Sequence, residues 1–161
     1  MSETPCAHSH ETSGRSAAQR SMAIEEARTL ARDKGLSMTA QRQAIYELLL
    51  DADRPVGAYT LINALAKKEN RGIAPPTIYR ALDFLLDIGV VSRVESSNEF
   101  VPCTHPAEEH DCIFLICGCC KRALEVDDMV VNASLKDIAK THGFNAERQV
   151  IELRGLCKDC Q

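Results

Sequence analysis

The sequence predicts an α+β protein in two parts, an N-terminal winged helix-turn-helix domain followed by a small α/β domain. Three observations carry that prediction. From Met22 to Cys103 apolar residues recur at helical spacing in four short runs and then switch to extended, hairpin-like segments. Beyond Cys103 the pattern becomes strand, strand, helix, strand. Two Cys-x-x-Cys pairs, Cys117/Cys120 and Cys157/Cys160, tie the second part together across 36 intervening residues.

The elements follow in order. Residues 1–21 are rich in Ser, Thr and Ala without an apolar period and read as a disordered tail. Cys6, His8 and His10 lie in it. A first helix, Met22–Lys34, presents Ala27, Leu30 and Ala31 on one side and stops at Gly35. Thr39 caps a second helix with Ala44, Ile45, Leu48 and Leu49 as its apolar stripe. Asp51–Gly57 is a loop, and a third helix near Ala58–Lys68 buries Leu61, Ile62 and Leu65. Pro75-Pro76 suits the first turn of a fourth helix, where a missing N–H costs nothing, and Gly89 ends it. Ile78, Ala81, Leu82, Leu85 and Ile88 share one face of that helix, and Arg80 points away, flanked by Thr77 and Tyr79. Val90–Glu95 and Glu99–Cys103 form a β-hairpin around Ser96-Ser97-Asn98.

Helices followed by a hairpin describe a winged helix, in which the segment Pro76–Ile88 enters a major groove by its N-terminal end. In the second part, Cys112–Cys117 and Arg122–Val126 are antiparallel strands. Met129–His142 is a helix with Val131, Leu135, Ile138 and Ala139 inward, and Arg148–Arg154 is a third strand. A unit of some 50 residues is too small to hide both sheet faces, so pairing with a second copy is expected. The domain boundaries expected are therefore 22–102 for the winged helix, 103–111 for a hinge loop and 112–161 for the dimerisation domain.

Composition bounds the function. At 161 residues and 17.7 kDa there is room for one or two small domains. Apolar residues make up 45% and aromatics 4%, an aliphatic core that gains from a metal clip. No run of 18 apolar residues suggests a membrane span, and the first 19 residues lack the apolar stretch of a signal peptide. Eight cysteines without a secretory signal point to the reducing cytoplasm and to metal rather than disulfides. The net charge of −4 argues against bulk attraction to nucleic acid. Residues 22–102 hold ten Lys/Arg against eleven Asp/Glu, and residues 103–161 seven against ten. DNA affinity must then come from one local face.

Four thiolates in two chelating pairs complete the tetrahedral shell of a closed structural Zn²⁺ site. Cys119 leaves the register open, because it can replace a neighbour as ligand. A redox Cys-x-x-Cys is the other reading of one pair, but two pairs plus further Cys and His favour zinc. The hinge, Cys103-Thr104-His105-Pro106-Ala107-Glu108-Glu109-His110-Asp111-Cys112, is crowded with potential ligands, and Glu125 follows the zinc turn. A mixed Cys/His/carboxylate set binds Zn²⁺ more weakly than four thiolates and, at a hinge, fixes an angle only when occupied.

The run Pro75-Pro76-Thr77-Ile78-Tyr79-Arg80-Ala81-Leu82-Asp83-Phe84-Leu85, with Gly89 and Val94-Glu95-Ser96, resembles the ferric uptake regulator superfamily, and within it the zinc uptake regulator branch. Thr39-Ala40-Gln41-Arg42, Ala58-Tyr59 and Gly155-Leu156-Cys157-Lys158-Asp159-Cys160 extend the resemblance from about Ile24 to Cys160. It implies a dimeric, zinc-sensing regulator, not an enzyme, that binds palindromic operator DNA when zinc-loaded and represses uptake genes, some members also activating. It implies one structural zinc at Cys117, Cys120, Cys157 and Cys160, and at least one regulatory zinc at Cys103, His110 and Glu125. Tyr59 and Arg80 fall on positions that approach bases in similar proteins, with Thr77 and Tyr79 beside them.

One departure stands out: relatives place a His in the wing's first strand, whereas this chain has Val91-Ser92-Arg93-Val94-Glu95-Ser96. His105 ranks first as the replacement ligand, ahead of Asp111, water or Cys6, His8 and His10. Two alternatives frame the prediction. An iron or peroxide sensor on the same scaffold tends to use His-rich sites with oxygen ligands, and the Cys103 thiolate favours zinc instead. A zinc or thiol redox enzyme needs a deaminase signature, or a βαβ unit beside its Cys-x-x-Cys, and neither is present.

Overall fold

The protein is described by a computed structural model that covers residues 15–106, 113–147 and 149–161. These fall into two compact units that part at residue 108.

The first unit runs α1 (Ala17–Asp33), α2 (Ala40–Leu50), β1 (Val56–Gly57), α3 (Ala58–Glu69), α4 (Pro75–Asp87), β2 (Val91–Val94) and β3 (Glu99–Pro102). α1 begins five residues before the expected Met22, so residues 17–21 are helix and not tail. The cause is a capping box: the Ser16 hydroxyl accepts from the Gln19 N–H while the Gln19 side chain accepts from the Ser16 N–H. Arg20 then pairs with Asp51 at the end of α2, which anchors the added turn. Residues 1–14, with Cys6, His8 and His10, lie outside the described residues.

Thr39 caps α2 by accepting from the Arg42 N–H, as expected, a contact worth about 1 kcal/mol. Ile45, Tyr46, Leu49 and Leu50 are buried, so the stripe is rotated slightly from the one read in the sequence, with Ala44 and Leu48 half-buried. Burial pushes the Tyr46 phenol up to about 12. On α4 every expected core residue from Ile78 to Ile88 is buried, and Phe84 joins them. Each fully buried Ile or Leu there contributes about 1.5–3 kcal/mol of transfer free energy. The first two residues of α4 are the prolines, so its unassisted start at Ala74 leaves fewer N–H groups without partners.

Gly89 ends α4 in the left-handed region, φ +79°, and its N–H donates to the Leu86 carbonyl. A Cβ there would sit 3.4 Å from the Pro106 carbonyl oxygen, a close but tolerable contact, so it is the left-handed conformation that favours glycine. The chain turns at once into β2, which pairs antiparallel with β3 from Val91↔Pro102 to Val94↔Glu99. The expected loop before α3 ends in β1, whose Val56 and Gly57 pair with Phe100 and Glu99. The wing is thus a three-stranded sheet in the order β1-β3-β2, tied to the helices by the short connection from β1 into α3.

The second unit holds β4 (Ile113–Cys117), β5 (Ala123–Val126), α5 (Met129–Thr141) and β6 (Ile151–Gly155). β4 is central, antiparallel to β5 and parallel to β6. The third strand therefore starts at Ile151, later than expected. Among the described residues its buried apolar side chains are Ile113, Phe114 and Cys117 alone. The face of α5 expected to point inward is not buried: Val131 and Ile138 are exposed, Leu135 and Ala139 half-buried. Met129 is 83% exposed and Phe144 68%. With no residue of α5 buried, the described residues of this unit enclose no larger core.

Candidate metal centre and nucleic-acid interface

The metal centre is built by two tight turns and the adjacent ends of β4 and β6. Cys117 closes β4, and the chain reverses through Lys121, held in the left-handed region at φ +61°. The Lys121 N–H donates to the Cys117 carbonyl and the Cys117 N–H to the Arg122 carbonyl, so the turn presents Cys117 and Cys120 on one side. The parallel pairing of Cys117 with Gly155 delivers the end of the chain beside that turn, and the Gly118 N–H donates to the Gly155 carbonyl. The last turn closes with the Cys160 N–H on the Cys157 carbonyl.

The Sγ atoms of Cys117, Cys120, Cys157 and Cys160 all lie within 4.8 Å of one another. Cys120 and Cys157 are 3.8 Å apart, which equals the edge of a tetrahedron with Zn–S bonds of about 2.3 Å. The Cys157 N–H donates to the Cys117 sulfur at 3.4 Å, the kind of outer hydrogen bond that steadies a thiolate ligand. The donor set, its spacing and its backbone support fit a closed Zn²⁺ site. Cys119 is not one of the four. Among the described residues no other cluster of three or more Cys, His, Asp or Glu side chains reaches this closeness.

The thiols are polarised unequally. Burial acts to raise Cys117, but N–H donors from Cys157, Cys120 and Cys119 outweigh it and bring the group down to about 6. Burial and the neighbouring thiols push Cys160 up to about 12, and burial also raises Cys120. One sulfur is thus a ready thiolate, and at least two must release protons to a metal.

The other expected ligands are distributed over both units. Cys103 is buried just after β3, where its N–H donates to the Val90 carbonyl. His105 is exposed, with Nδ1 3.1 Å from the Thr104 hydroxyl. Ser92 is half-buried on β2, opposite Val101. Glu125 is half-buried on β5 of the second unit, opposite Phe114. His110 and Asp111 lie outside the described residues.

The expected DNA-contacting side chains stand at helix starts in the first unit. Tyr59, second in α3, is 71% exposed. On α4, Tyr79 and Arg80 are exposed and Thr77 half-buried, while the opposite face of the helix fills the core. Burying one face that completely fixes the direction in which the other points. Sequence reasoning left Arg42 as part of a motif only. Its guanidinium stacks on the Phe84 ring, 3.7 Å from the centroid, and donates to the Ser37 carbonyl at 2.6 Å. A three-residue step from the Thr39 cap is the only sequence signal for that contact.

Comparisons with known proteins agree with this architecture. The ferric uptake regulator family pattern matches residues 33–154. The zinc uptake regulation protein of Escherichia coli strain K12 is 34% identical over 139 residues, 85% of this chain and 80% of that protein. A solved zinc uptake regulator complexed with zinc and DNA superposes with a TM-score of 0.84 at 31% identity, covering 91% of this chain and 96% of that one. The crystal structure of holo XcZur gives a TM-score of 0.79 at 39% identity, covering 88% and 97%.

Proposed function

The chain belongs to the ferric uptake regulator family, and from that premise we propose that it is a zinc-responsive transcriptional regulator. It binds operator DNA as a zinc-loaded homodimer and represses zinc-uptake genes. The observation that carries this reading is the match, over nearly the whole chain, to a regulator solved with both zinc and DNA. The tetrathiolate cluster supports it independently, since its sulfur geometry suits zinc.

In this reading residues 22–102, lengthened at their start by the turn from Ala17, bind DNA, residues 103–111 are the hinge and residues 112–161 pair the subunits. Cys117, Cys120, Cys157 and Cys160 hold a structural zinc that clips the second unit. Cys103, His110 and Glu125 hold the regulatory zinc, and His105 completes the set where Ser92 stands for the usual wing His. Arg80 donates to a purine edge from the groove-facing side of α4, with Tyr59, Thr77 and Tyr79 contacting bases or phosphates around it. The exposed apolar side chains of α5 and of the edge strands β5 and β6 are the surface a second copy covers. Among the described residues no helix is long and apolar enough to cross a membrane.

Zinc acts as a switch if it binds the DNA-competent arrangement more tightly. A 100-fold preference supplies about 2.7 kcal/mol. The test is a mobility-shift assay on the protein's own promoter DNA, with the structural zinc retained and the regulatory zinc present or chelated. A shift only in the loaded state is expected, lost in Cys103→Ser and weakened in His105→Ala. Equal binding in both states rejects the proposal.

A further inference from the structure

We propose that Arg42, on α2, is a phosphate-binding residue that seats the recognition helix on the DNA backbone. This rests on the DNA-binding reading above and adds a contact to it. An open cleft of about 230 Å³ lies between the first turns of α2 and α4, lined by Thr39, Gln41, Arg42, Thr77, Arg80 and Ala81. That is roughly eight water volumes at ~30 Å³ each, space enough for the five heavy atoms of a phosphate. Two arginines are among the residues that line this space, and no Asp or Glu is.

In the same unit Arg20, Arg28, Arg71, Arg93 and Lys68 each pair with a carboxylate. Among the described residues Arg42 and Arg80 form no ion pair. Arg15, Arg32, Lys34, Arg54 and Lys67 of the same unit also form no ion pair among the described residues, and what distinguishes Arg42 and Arg80 is that both line one cleft. Two like charges sharing a cleft repel each other, and a phosphodiester between them removes that repulsion while accepting from both. A sheet or core residue in this unit gains nothing from such an arrangement.

Arg42 is also held ready. Its ring contact with Phe84 and its bond to the Ser37 carbonyl use one face and one N–H, leaving further donors of the fork. The side chain therefore loses little freedom when it meets an anion. Because Phe84 is a buried residue of α4, the same contact ties the phosphate to the position of the recognition helix. Phosphate contacts fix register and orientation and carry no sequence information. Arg42 thus sets where α4 lies, and Arg80 reads what lies beneath it.

The experiment compares wild type, Arg42→Gln, Arg42→Lys and Arg80→Ala, all zinc-loaded, on operator and on unrelated duplex across a salt series. One lost phosphate contact lowers the slope of log K against log salt by about 0.9 and weakens binding about five-fold at 0.15 M salt. Arg42→Gln removes one contact from each subunit of the dimer and is expected to lower the slope by about 1.8 and weaken binding about 30-fold on both DNAs, whereas Arg42→Lys keeps the slope and Arg80→Ala loses operator preference. Single methylphosphonate substitutions along the duplex provide a measurement that needs no variant to fold. At one position per half-site they are expected to weaken wild type about five-fold, and Arg42→Gln, if folded, not at all. An unchanged slope in Arg42→Gln, or no phosphate whose neutralisation weakens wild type, overturns the assignment. Operator loss in Arg42→Gln without a slope change also overturns it, because that marks a packing role through Phe84. If wild type binds operator and unrelated DNA alike, the regulatory reading fails instead, and the slope on unrelated DNA still decides Arg42.

Discussion

Removing the terminal thiol pair should unfold the second unit and leave the first intact. The perturbation is the double variant Cys157→Ser with Cys160→Ser, which leaves Cys117 and Cys120 without their partners across the clip. Cys120 and Cys157 are the nearest ends, closing a loop of 38 residues. Treating the metal clip as a cross-link, the chain-entropy relation gives about 4 kcal/mol for a loop of that length. A unit of about 50 residues has only about 2.5–7 kcal/mol of stability in total. The described core of this unit is three side chains, and α5 buries none. Losing the clip therefore removes most of what holds it. Hydrogen exchange by mass spectrometry reads each unit separately. Protection of β4 and β6 amides should fall about 1,000-fold toward the unfolded rate, while α2 and α4 keep theirs. Protection of β4 and β6 within ten-fold of wild type would refute the argument that the sulfurs replace a missing core.

Three further outcomes follow from the same geometry. Arg80→Ala should weaken operator binding by about 1–3 kcal/mol per half-site, roughly 5- to 150-fold for each subunit of the dimer, with zinc content unchanged by metal analysis. Leu82→Ala, at a position 1% exposed, should destabilise the first unit by about 2–5 kcal/mol, read as a lower urea midpoint with an unchanged slope. Zinc affinity at the four cysteines should rise with pH. The raised Cys120 and Cys160 thiols are protonated at neutral pH and must ionise to bind, so log K gains at least about two per pH unit between 6 and 8. Below the Cys117 value of about 6 a further proton enters and the dependence steepens. Competition with a chromophoric chelator measures this, and a flat profile from pH 6 to 8 would contradict it.

The helical half of the fold was legible because its signals are local. Thr39, Pro75-Pro76 and Gly89 mark ends whose chemistry involves only the neighbouring residues, and the α4 stripe has one possible inside. The four zinc-fitting cysteines were legible for a related reason, since two chelating pairs admit few other uses. What escaped depends on distant partners. Residues 17–21 carry no apolar period, and their helix rests on Ser16 with Gln19 and on Arg20 reaching Asp51. β1 is two residues long and exists only because β3 pairs with it. The sequence marks an apolar stripe on α5, but a stripe does not say whether the same chain covers it, and the inward face expected of it is not buried. Cys103, His105, His110 and Glu125 come from separate segments, and spacing alone does not dictate which of them converge.

Zinc titrations with and without saturating operator DNA test the coupling between metal and DNA most directly. Linkage requires that whatever factor zinc adds to operator affinity, operator adds to the affinity of the regulatory zinc. The account predicts a roughly 100-fold tightening in each direction, about 2.7 kcal/mol, confined to the regulatory site and abolished in Cys103→Ser. Regulatory zinc that binds equally well with operator present or absent would contradict it.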